Sequence, residues 1–355
     1  MIFGGLLDGR VHGRIVETLY GNFDVQEPVL LELFDSPVLQ RLKGIRQYGV
    51  LYFVDPKEYT RYEHSVGVWG LLRRYGARIE EQIAGLLHDA SHTVFSHVAD
   101  VLFSHTSVKS SYQDDIHGWY LQQQKVPELL AKHGISLESI MHKSGTHCML
   151  EQDLPELCAD RIEYNFYGGL LENMIHRQDI EPILQTLKFE DGRWFFTSIA
   201  RAKQFSQISL YHTEHVWGGL SNFITYRFAA QALKRAVNTG LISFEDIHFS
   251  IDDIVWKKLT QSDDSEIKTA INNLLHHGNN FVKTNDRSEL VITTKFRGVN
   301  PWIMVDGVFK RLTDCDGHYA QAYNQVKNTV SQGRFVKCLH GVSGVLNQEA
   351  LPTAS

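Results

Sequence analysis

The sequence predicts a mainly α-helical protein with a small C-terminal α+β region. Apolar residues recur at helical spacing through most of the first part of the chain, as in the segment VLQRLKGI that begins at Val38. Farther on, β-branched and aromatic residues alternate in LVITTKFRGVNPWIMVDGVFKRL, which is typical of strands. We therefore predict a helical core over residues 1–260 and a small α+β region over residues 261–355.

Composition places the chain among globular proteins of ordinary charge. It has 355 residues, and 35 basic against 41 acidic side chains give a net charge of −6. This balance gives no general attraction to nucleic acid or to an anionic membrane. The four scattered cysteines form no CxxC pair, which is typical of reduced thiols. Because we find neither a signal peptide nor an apolar run of about 20 residues, we expect a cytoplasmic protein without membrane spans.

The first part of the chain has the pattern of helices separated by short breaks. Pro28 opens an apolar run and Ser36 precedes the next one, since proline fits a first helical turn and serine fits a cap. The sequence then predicts a polar loop over residues 104–116 and helices over residues 64–75, 80–88, 95–103, 117–124, 126–133 and 154–167.

The next part adds a hairpin before the character of the chain changes. FEDGRWFF, with a DG turn at its centre, predicts two strands within residues 187–197. A long helix is expected over residues 198–239. Beyond residue 260 we predict two or three strands, a helix over residues 316–332 and a loose tail over residues 341–355.

The stretch from Ala84 to Asp100, AGLLHDASHTVFSHVAD, concentrates groups that can bind a metal. Three histidines and two aspartates follow directly on an apolar run. Buried acids and imidazoles are unfavourable unless something neutralises or ligates them. The pattern therefore indicates a metal site built behind an apolar helix.

The spacing of the histidines suggests which residues would share one ion. His88 and Asp89 are adjacent, so both reach the same ion only at a helix end. His64 begins the preceding helical pattern, and a helix–turn–helix return would bring it towards His88. Asp160, on an otherwise apolar helix, is the best candidate for a further ligand. This donor set of imidazole nitrogens and carboxylate oxygens suits borderline first-row metals such as Mn, Fe, Co, Ni or Zn better than calcium.

These motifs resemble the HD superfamily of metal-dependent phosphohydrolases, in particular the branch that hydrolyses deoxynucleoside triphosphates. The resemblance rests on RYEHSVGV, AGLLHDASHTVFSH and DRIEY, and it extends to DGRVHG, SPVLQRLKGIRQYG, SLYHTEH and TTKFRGVNPWIMVDGVFKRLTDCD. It implies an HD-domain helical core, a divalent metal ion (Mn, Fe, Ni, Co, Zn or Mg) and homo-oligomers of two or more chains. It also implies hydrolysis of a deoxynucleoside triphosphate to the deoxynucleoside and inorganic triphosphate.

The resemblance assigns roles to individual residues. The metal ligands would be His64, His88, Asp89 and Asp160. The residues around the reacting phosphate would be His92, His97, Asp100 and His117. The residues that contact substrate would be Arg61, Gln47, Arg161, Tyr164 and Tyr211. An imidazole that titrates near neutrality can activate water or protonate a leaving oxygen, and Asp100 would orient His97 and stabilise its charge.

Two departures from the family pattern bear on the substrate. Tyr48 stands where the family usually has a leucine against the deoxyribose, and Trp217 stands near the position of an arginine that binds the triphosphate. An HD phosphatase or phosphodiesterase of mono- or diphosphorylated nucleotides is therefore an alternative. Two further alternatives are a weakly active, nucleotide-binding regulatory protein and a mixed-valent di-iron oxygenase, for which only His92 and His117 would be available as extra ligands.

Overall fold

Helices make up most of the described chain, which confirms the predicted fold class. A computed structural model of the protein describes residues 11–12, 15–103, 111–141, 146–277, 281–284, 290–292 and 294–338. The helices are α1 (Pro28–Phe34), α2 (Pro37–Arg41), α3 (Arg61–Arg74), α4 (Ile79–Leu87), α5 (Val98–Leu102), α6 (Tyr112–Gln123), α7 (Val126–Ala131), α8 (Leu137–Ile140), α9 (Ala159–Leu171), α10 (Arg177–Leu184), α11 (Ile199–Tyr211), α12 (Leu220–Asn238), α13 (Phe244–Phe249), α14 (Asp252–Thr260), α15 (Ser265–Leu275), α16 (Leu312–Cys315) and α17 (Gly317–Gln332).

Short strands form small sheets around these helices. The strands are β1 (Val11–His12), β2 (Ile15–Thr18), β3 (Gly21–Asp24), β4 (Leu187–Glu190), β5 (Arg193–Phe196), β6 (Phe281–Thr284), β7 (Leu290–Ile292), β8 (Trp302–Val305), β9 (Val308–Arg311) and β10 (Arg334–Cys338). Within the described residues the sheet orders are β1-β2-β3, β6-β10-β7 and β4-β5-β8-β9. The β4–β5 pair is the predicted FEDGRWFF hairpin, and β7, β8 and β9 lie in the segment predicted to form strands.

A continuous apolar core fixes the position of α3, α4 and α9 relative to one another. Trp69 of α3 lies at its centre, and its ring meets Phe23 and Phe34 edge-to-face at centroid distances of 5.5 and 5.2 Å. Burial of each such side chain stabilises the fold by about 1.5–3 kcal/mol. The start of α3 is fixed by a capping box, in which Thr60 and Glu63 satisfy each other's backbone N–H groups.

The region after residue 260 packs directly against the helical core. Strand β5 pairs in parallel with β8, with Phe195 opposite Trp302 and Phe196 opposite Ile303. Helix α15 packs against α12. The division of the chain at residue 260 stays a prediction.

Several helices begin or end away from their predicted bounds. Helix α5 covers only part of the predicted 95–103 because Phe95 and Ser96 have φ angles of 58° and 54°, which helical backbone cannot adopt. Helix α6 begins at Tyr112, inside the predicted loop, since Ser111 and Asp114 form a capping box. Helix α9 begins at Ala159 rather than at residue 154.

The helix predicted over residues 198–239 is interrupted in its middle. Helix α11 passes into a π-helical turn at His212–Val216, in which the Trp217 N–H donates to the His212 carbonyl at 2.8 Å, and α12 then begins at Leu220. A Cβ at Gly218 would lie 2.2 Å from the Thr213 carbonyl oxygen. Only glycine therefore allows the chain to pass this turn so closely.

Some predictions lie outside the described residues. These are most of the DGRVHG motif, the greater part of the predicted 104–116 loop and the predicted tail over 341–355. The helix predicted over 316–332 is confirmed as α17. Among the described helices, none combines the length and the apolar character needed to cross a membrane.

Candidate metal centre

Three of the predicted ligands converge where α3, α4 and α9 meet. His64 lies in the first turn of α3, His88 directly follows α4, and Asp160 lies in the first turn of α9. The His64 Nε2 atom lies 2.9 Å from Asp160 Oδ1 and 3.1 Å from His88 Nε2. One possible ligand atom from each of the three residues lies within 4.8 Å of the other two.

The orientation of the two imidazoles suits a cation between them. The His88 Nδ1–H group donates to the Gly85 carbonyl at 2.7 Å, so the Nε2 lone pair points towards His64. Two imidazole nitrogens 3.1 Å apart repel unless a proton or a metal ion lies between them. Two nitrogens and a carboxylate oxygen form a donor set that borderline divalent metals accept. The residues present therefore fit the divalent metal that the sequence predicts.

Asp89 lies at the edge of this cluster and forms an ion pair with Arg61. Its Oδ1 is 3.5 Å from His88 Nε2, and its Oδ2 is 3.6 Å from His64 Nε2. The same Oδ2 accepts from Arg61 Nη1 at 2.5 Å. Burial alone would raise the pKa of Asp89, but Arg61 and the neighbouring histidines hold that pKa well below its usual range. Asp89 is thus an ionised carboxylate beside both imidazoles.

The charges of this cluster depend on one another. Burial lowers the pKa of His64, but hydrogen bonds to Asp160 and Glu163 outweigh it and raise that pKa to about 10. Burial raises the pKa of Asp160, whereas His64 and His88 lower it strongly below the usual value. The cluster therefore stabilises positive charge between its carboxylates, which a proton supplies in the free protein and which a divalent ion would supply when bound.

The second group of predicted residues lines the same site. His92 Nε2 lies 3.2 Å from Asp89 Oδ1, and its ring centroid is 5.0 Å from that of His97. His97 Nδ1 lies 3.0 Å from Asp100 Oδ2, and Asp100 also accepts from the Tyr112 N–H at 2.8 Å. This arrangement leaves Nε2 of His97 directed away from the carboxylate that orients it.

His92 is held neutral. Burial and the charge of Arg61 lower its pKa to about 3. Because Nε2 faces Asp89, Nδ1 is left as a buried nitrogen without a partner among the described residues. His92 is therefore a neutral imidazole that donates from Nε2 to Asp89.

His117 reaches the site from α6. Its Nδ1 lies 2.8 Å from the hydroxyl of Ser91, which itself donates to the Gln113 carbonyl at 3.1 Å, so His117 must donate to that hydroxyl. Burial, and then the charge of His88, lower the pKa of His117 to about 4. His117 is therefore a second neutral imidazole close to the metal cluster.

Arg161, predicted to contact substrate, is buried and bonds to backbone carbonyls and to Glu151. Its guanidinium donates to the carbonyls of Glu156 and Gln152 at 2.6 and 3.1 Å, and Nη2 lies 3.3 Å from Glu151 Oε1. Glu151, Cys158 and Asp160 form a further cluster of possible ligand atoms. Arg161 already balances the charge of Glu151 there.

The remaining predicted substrate residues lie at an aromatic cluster beside α9. Gln47 is buried, with Oε1 lacking a partner among the described residues. Tyr211 packs beside Tyr48. Trp217 lies between Tyr48 and Tyr164, at centroid distances of 5.0 and 6.1 Å. The two positions that depart from the family pattern thus pack against each other.

Sequence reasoning missed residues that the fold brings to the site. Glu163 contacts His64 from the side opposite to the ligands. Lys295 and Arg297 approach from the C-terminal region: partial desolvation and then the charges of Arg297 and Arg161 lower the pKa of Lys295. Among the described residues, neither cation forms an ion pair with a carboxylate. The TTKFRGV motif was the available signal for this pair, but its position in the fold was not readable from sequence.

Comparisons with known proteins agree with this geometry. The HD domain family matches residues 61–145, which include His64, His88 and Asp89. The metal-dependent phosphohydrolase cns2 of Cordyceps militaris is 32% identical over 301 residues, covering 81% of this chain and 84% of its own. The uncharacterized protein YdhJ of Bacillus subtilis is 36% identical over 296 residues, covering 82% and 89%. The chain therefore belongs to the HD-domain family of metal-dependent phosphohydrolases.

Two more distant comparisons complete this assignment. A phosphohydrolase structure from Bacteroides thetaiotaomicron shares the fold with a TM-score of 0.69 at 18% identity, covering 91% of this chain and 98% of that one. The deoxynucleoside triphosphate triphosphohydrolase SAMHD1 of Bos taurus is 35% identical over 105 residues, which is 25% of this chain and 18% of SAMHD1. That similarity is local to part of the chain.

Proposed function

We propose that the protein hydrolyses a nucleotide, and that its substrate is a deoxynucleoside triphosphate cleaved to the deoxynucleoside and inorganic triphosphate. The observation that carries the proposal is the convergence of His64, His88 and Asp160 beside two oriented histidines. The local identity with a deoxynucleoside triphosphate triphosphohydrolase supports the substrate class.

His64, His88 and Asp160, with Asp89 beside them, would hold the divalent ion. A divalent ion supplies Lewis acidity that neutralises the charge developing on a phosphoryl group. Arg61 keeps Asp89 ionised, and its own charge adds to the positive potential of the site.

The proton transfers would fall to the oriented histidines. His97 donates from Nδ1 to Asp100, so the carboxylate would stabilise the imidazolium formed when Nε2 takes up a proton. His92 is neutral and its Nε2 lies 3.2 Å from Asp89 Oδ1, so it would orient that carboxylate. A general acid or base such as His97 increases the rate of hydrolysis by a factor of about 10²–10⁴.

Positive charge near the site supports a substrate with several phosphates. Burial raises the pKa values of Tyr164 and Tyr226 to about 12 against the opposing charges of nearby arginines, of which Arg297 is the one that acts on both tyrosines. Lys295 and Arg297 are cations that form no ion pair with a carboxylate among the described residues, although the charges of Glu151 and Asp114 act on Lys295. Such cations favour polyphosphate over neutral ligands.

A second candidate, hydrolysis of a shorter phosphate ester, is favoured by one observation. Tyr48 is fully packed, and its ring contacts Trp217, which stands near the position of the family's triphosphate-binding arginine. An indole cannot neutralise a phosphate. The Tyr48–Trp217 pair therefore favours a substrate with one or two phosphates.

The test is a nucleotide panel assayed with Mn, Fe, Co, Ni, Zn and Mg in turn. The panel contains deoxynucleoside and nucleoside mono-, di- and triphosphates, and the phosphorus-containing products are separated and identified. Release of inorganic triphosphate supports the first candidate, whereas orthophosphate as the sole product supports the second. If no phosphate ester is hydrolysed but a nucleotide raises the Tm of the metal-loaded protein, the protein is a nucleotide-binding regulator.

A further inference from the structure

The two nitrogens of His64 face different environments. Nε2 points into the metal cluster, towards Asp160 Oδ1 at 2.9 Å. Nδ1 lies on the opposite side of the ring, 2.5 Å from Glu163 Oε2 and 3.2 Å from the Tyr59 hydroxyl. The Tyr59 hydroxyl also donates to Glu163 Oε2. Glu163 therefore contacts His64 at Nδ1, the ring nitrogen that points away from His88 and Asp160.

Glu163 is a carboxylate in an enclosed position. It is 1% exposed, and among the described residues no lysine or arginine forms an ion pair with it. Its hydrogen-bond donors are the His64 ring and the Tyr59 hydroxyl. A buried carboxylate is stabilised by nearby positive charge. The positive charge available to Glu163 is that of the His64 ring or of an ion bound at its far side.

The glycine of the HSVGV motif makes this contact possible. Gly67 lies one turn after His64 on α3, and a Cβ there would lie 2.5 Å from Glu163 Oε1. That distance is far inside van der Waals contact, so a side chain at residue 67 would displace the carboxylate. His64 and Gly67 are three residues apart on α3, and Asp160 and Glu163 are three residues apart on α9. This spacing places a carboxylate at each ring nitrogen of His64.

We infer that Glu163 is a positioning residue that keeps the His64 proton on Nδ1, so that the Nε2 lone pair is presented to the metal. The inference rests on the proposed role of His64 as a ligand. A carboxylate that accepts from the distal N–H of a metal-binding histidine fixes its tautomer and its ring orientation and increases its basicity. Tyr59 shares the carboxylate and holds it in place.

The test compares metal binding, without turnover, in the full-length protein. Metal-free wild type, Glu163→Gln and Glu172→Gln are titrated with Mn²⁺. Glu172 is the matched control because it follows the same helix α9 but pairs with Lys57, away from the cluster. We expect Glu163→Gln to raise the Kd for Mn²⁺ by about 10- to 100-fold, with the Kd of the control within twofold of wild type.

Nitrogen NMR of His64 in the Zn²⁺-loaded wild-type protein is the second measurement, and it does not depend on the folding of any variant. We expect the proton on Nδ1. A proton on Nε2, an unchanged Kd in folded Glu163→Gln, or a wild-type protein that binds no divalent ion would each overturn the inference. If the wild type binds metal with His64 protonated on Nδ1 but hydrolyses no nucleotide, the proposed function fails while the role of Glu163 stands.

Discussion

At the scale of single residues, the histidines of the HD stretch divide into two kinds by their partners. His88 has its Nδ1 occupied by a backbone carbonyl, which leaves Nε2 for the cluster. His97 has its Nδ1 occupied by Asp100, which leaves Nε2 for a molecule in the site. The partner of Nδ1 thus decides which way each imidazole faces. His88 and His97, nine residues apart in the sequence, acquire different proposed tasks for this reason.

The proposed division of tasks predicts different losses for different histidines. His88→Ala and Asp89→Ala should lose bound metal, because each removes a ligand or the carboxylate beside it. His97→Ala should keep its metal and lose turnover by about 10²–10⁴-fold, since only proton transfer is removed. Metal content by elemental analysis and the rate of nucleotide hydrolysis are measured on the same samples.

His276→Ala is the control for this series, because His276 follows α15 and its ring, among the described residues, bonds to the Asn272 carbonyl alone. It should change neither metal content nor rate. Full activity in a metal-free His88→Ala protein would contradict the mechanism.

At the scale of elements, the π-helical turn sets the environment of His212. Asn165 donates from Nδ2 to the Arg161 carbonyl at 2.8 Å, so its Oδ1 accepts from His212 Nδ1–H at 3.1 Å. Burial lowers the pKa of His212 to about 4. The turn therefore holds a neutral imidazole against the helix that carries Asp160.

This environment predicts a contribution to stability that depends on pH. The pKa of His212 is about 4 when folded and about 6.5 when unfolded. A histidine whose pKa is lowered on folding contributes fully above pH 6.5, and its contribution is lost as the pH falls towards 4. The full difference is about 3 kcal/mol. Chemical unfolding of wild type and His212→Gln between pH 7.5 and 4.5 measures it, and the variant should show the shallower loss.

His215→Gln is the matched control on the same turn, because the His215 side chain is 53% exposed. Its stability should follow the wild-type pH dependence. Equal slopes for wild type and His212→Gln would show that the buried imidazole is not the titrating group.

At the scale of the whole molecule, the C-terminal region contributes to the proposed substrate site. The Ser209 hydroxyl of α11 donates to the Arg297 carbonyl at 3.0 Å, and the Asn300 N–H donates to the Pro155 carbonyl at 3.0 Å. These contacts hold Lys295 and Arg297 near α9. The site is thus assembled from segments more than 200 residues apart in the sequence.

The placement of these cations predicts an effect that grows with phosphate number. Lys295→Ala and Arg297→Ala should each raise KM for a nucleoside triphosphate about tenfold, because a charged hydrogen bond to phosphate is lost. The rise should be smaller for the matching monophosphate, and kcat should change little. Lys310→Ala, on the exposed face of β9, is the control. Equal effects on both substrates would contradict a role in binding the phosphate chain.

The packing across residue 260 predicts that the parts do not fold separately. A chain that ends after residue 260 loses β8 from the edge of β5 and α15 from the buried face of α12. We expect it to unfold without a cooperative thermal transition, whereas the full-length chain should unfold cooperatively. A cooperative transition in the shorter chain would instead support an independent domain over residues 1–260. Assembly into homo-oligomers also stays a prediction, measurable on the same samples by sedimentation.

Local sequence patterns were enough to predict the fold class and the stretch that carries most of the candidate metal ligands. Periodicity predicted α3 and α4, and the HSVGV and HD spacings paired His64 with His88, because helix geometry relates near neighbours in the chain. It could not determine the left-handed backbone at Phe95, which arises from contacts around the loop: the Phe95 N–H donates to Asp252, 157 residues away.

The groups that surround the cluster depend on packing between distant segments of the chain. Glu163 reaches the far side of His64 because α3 and α9 pack together, and Gly67 leaves the space. Arg161 donates to backbone carbonyl groups, and Lys295 and Arg297 of the C-terminal region lie near it. Orientation of a side chain depends on packing between distant segments, which no local pattern records. The convergence of His64, His88 and Asp160 was therefore predictable, and the groups packed around them were not.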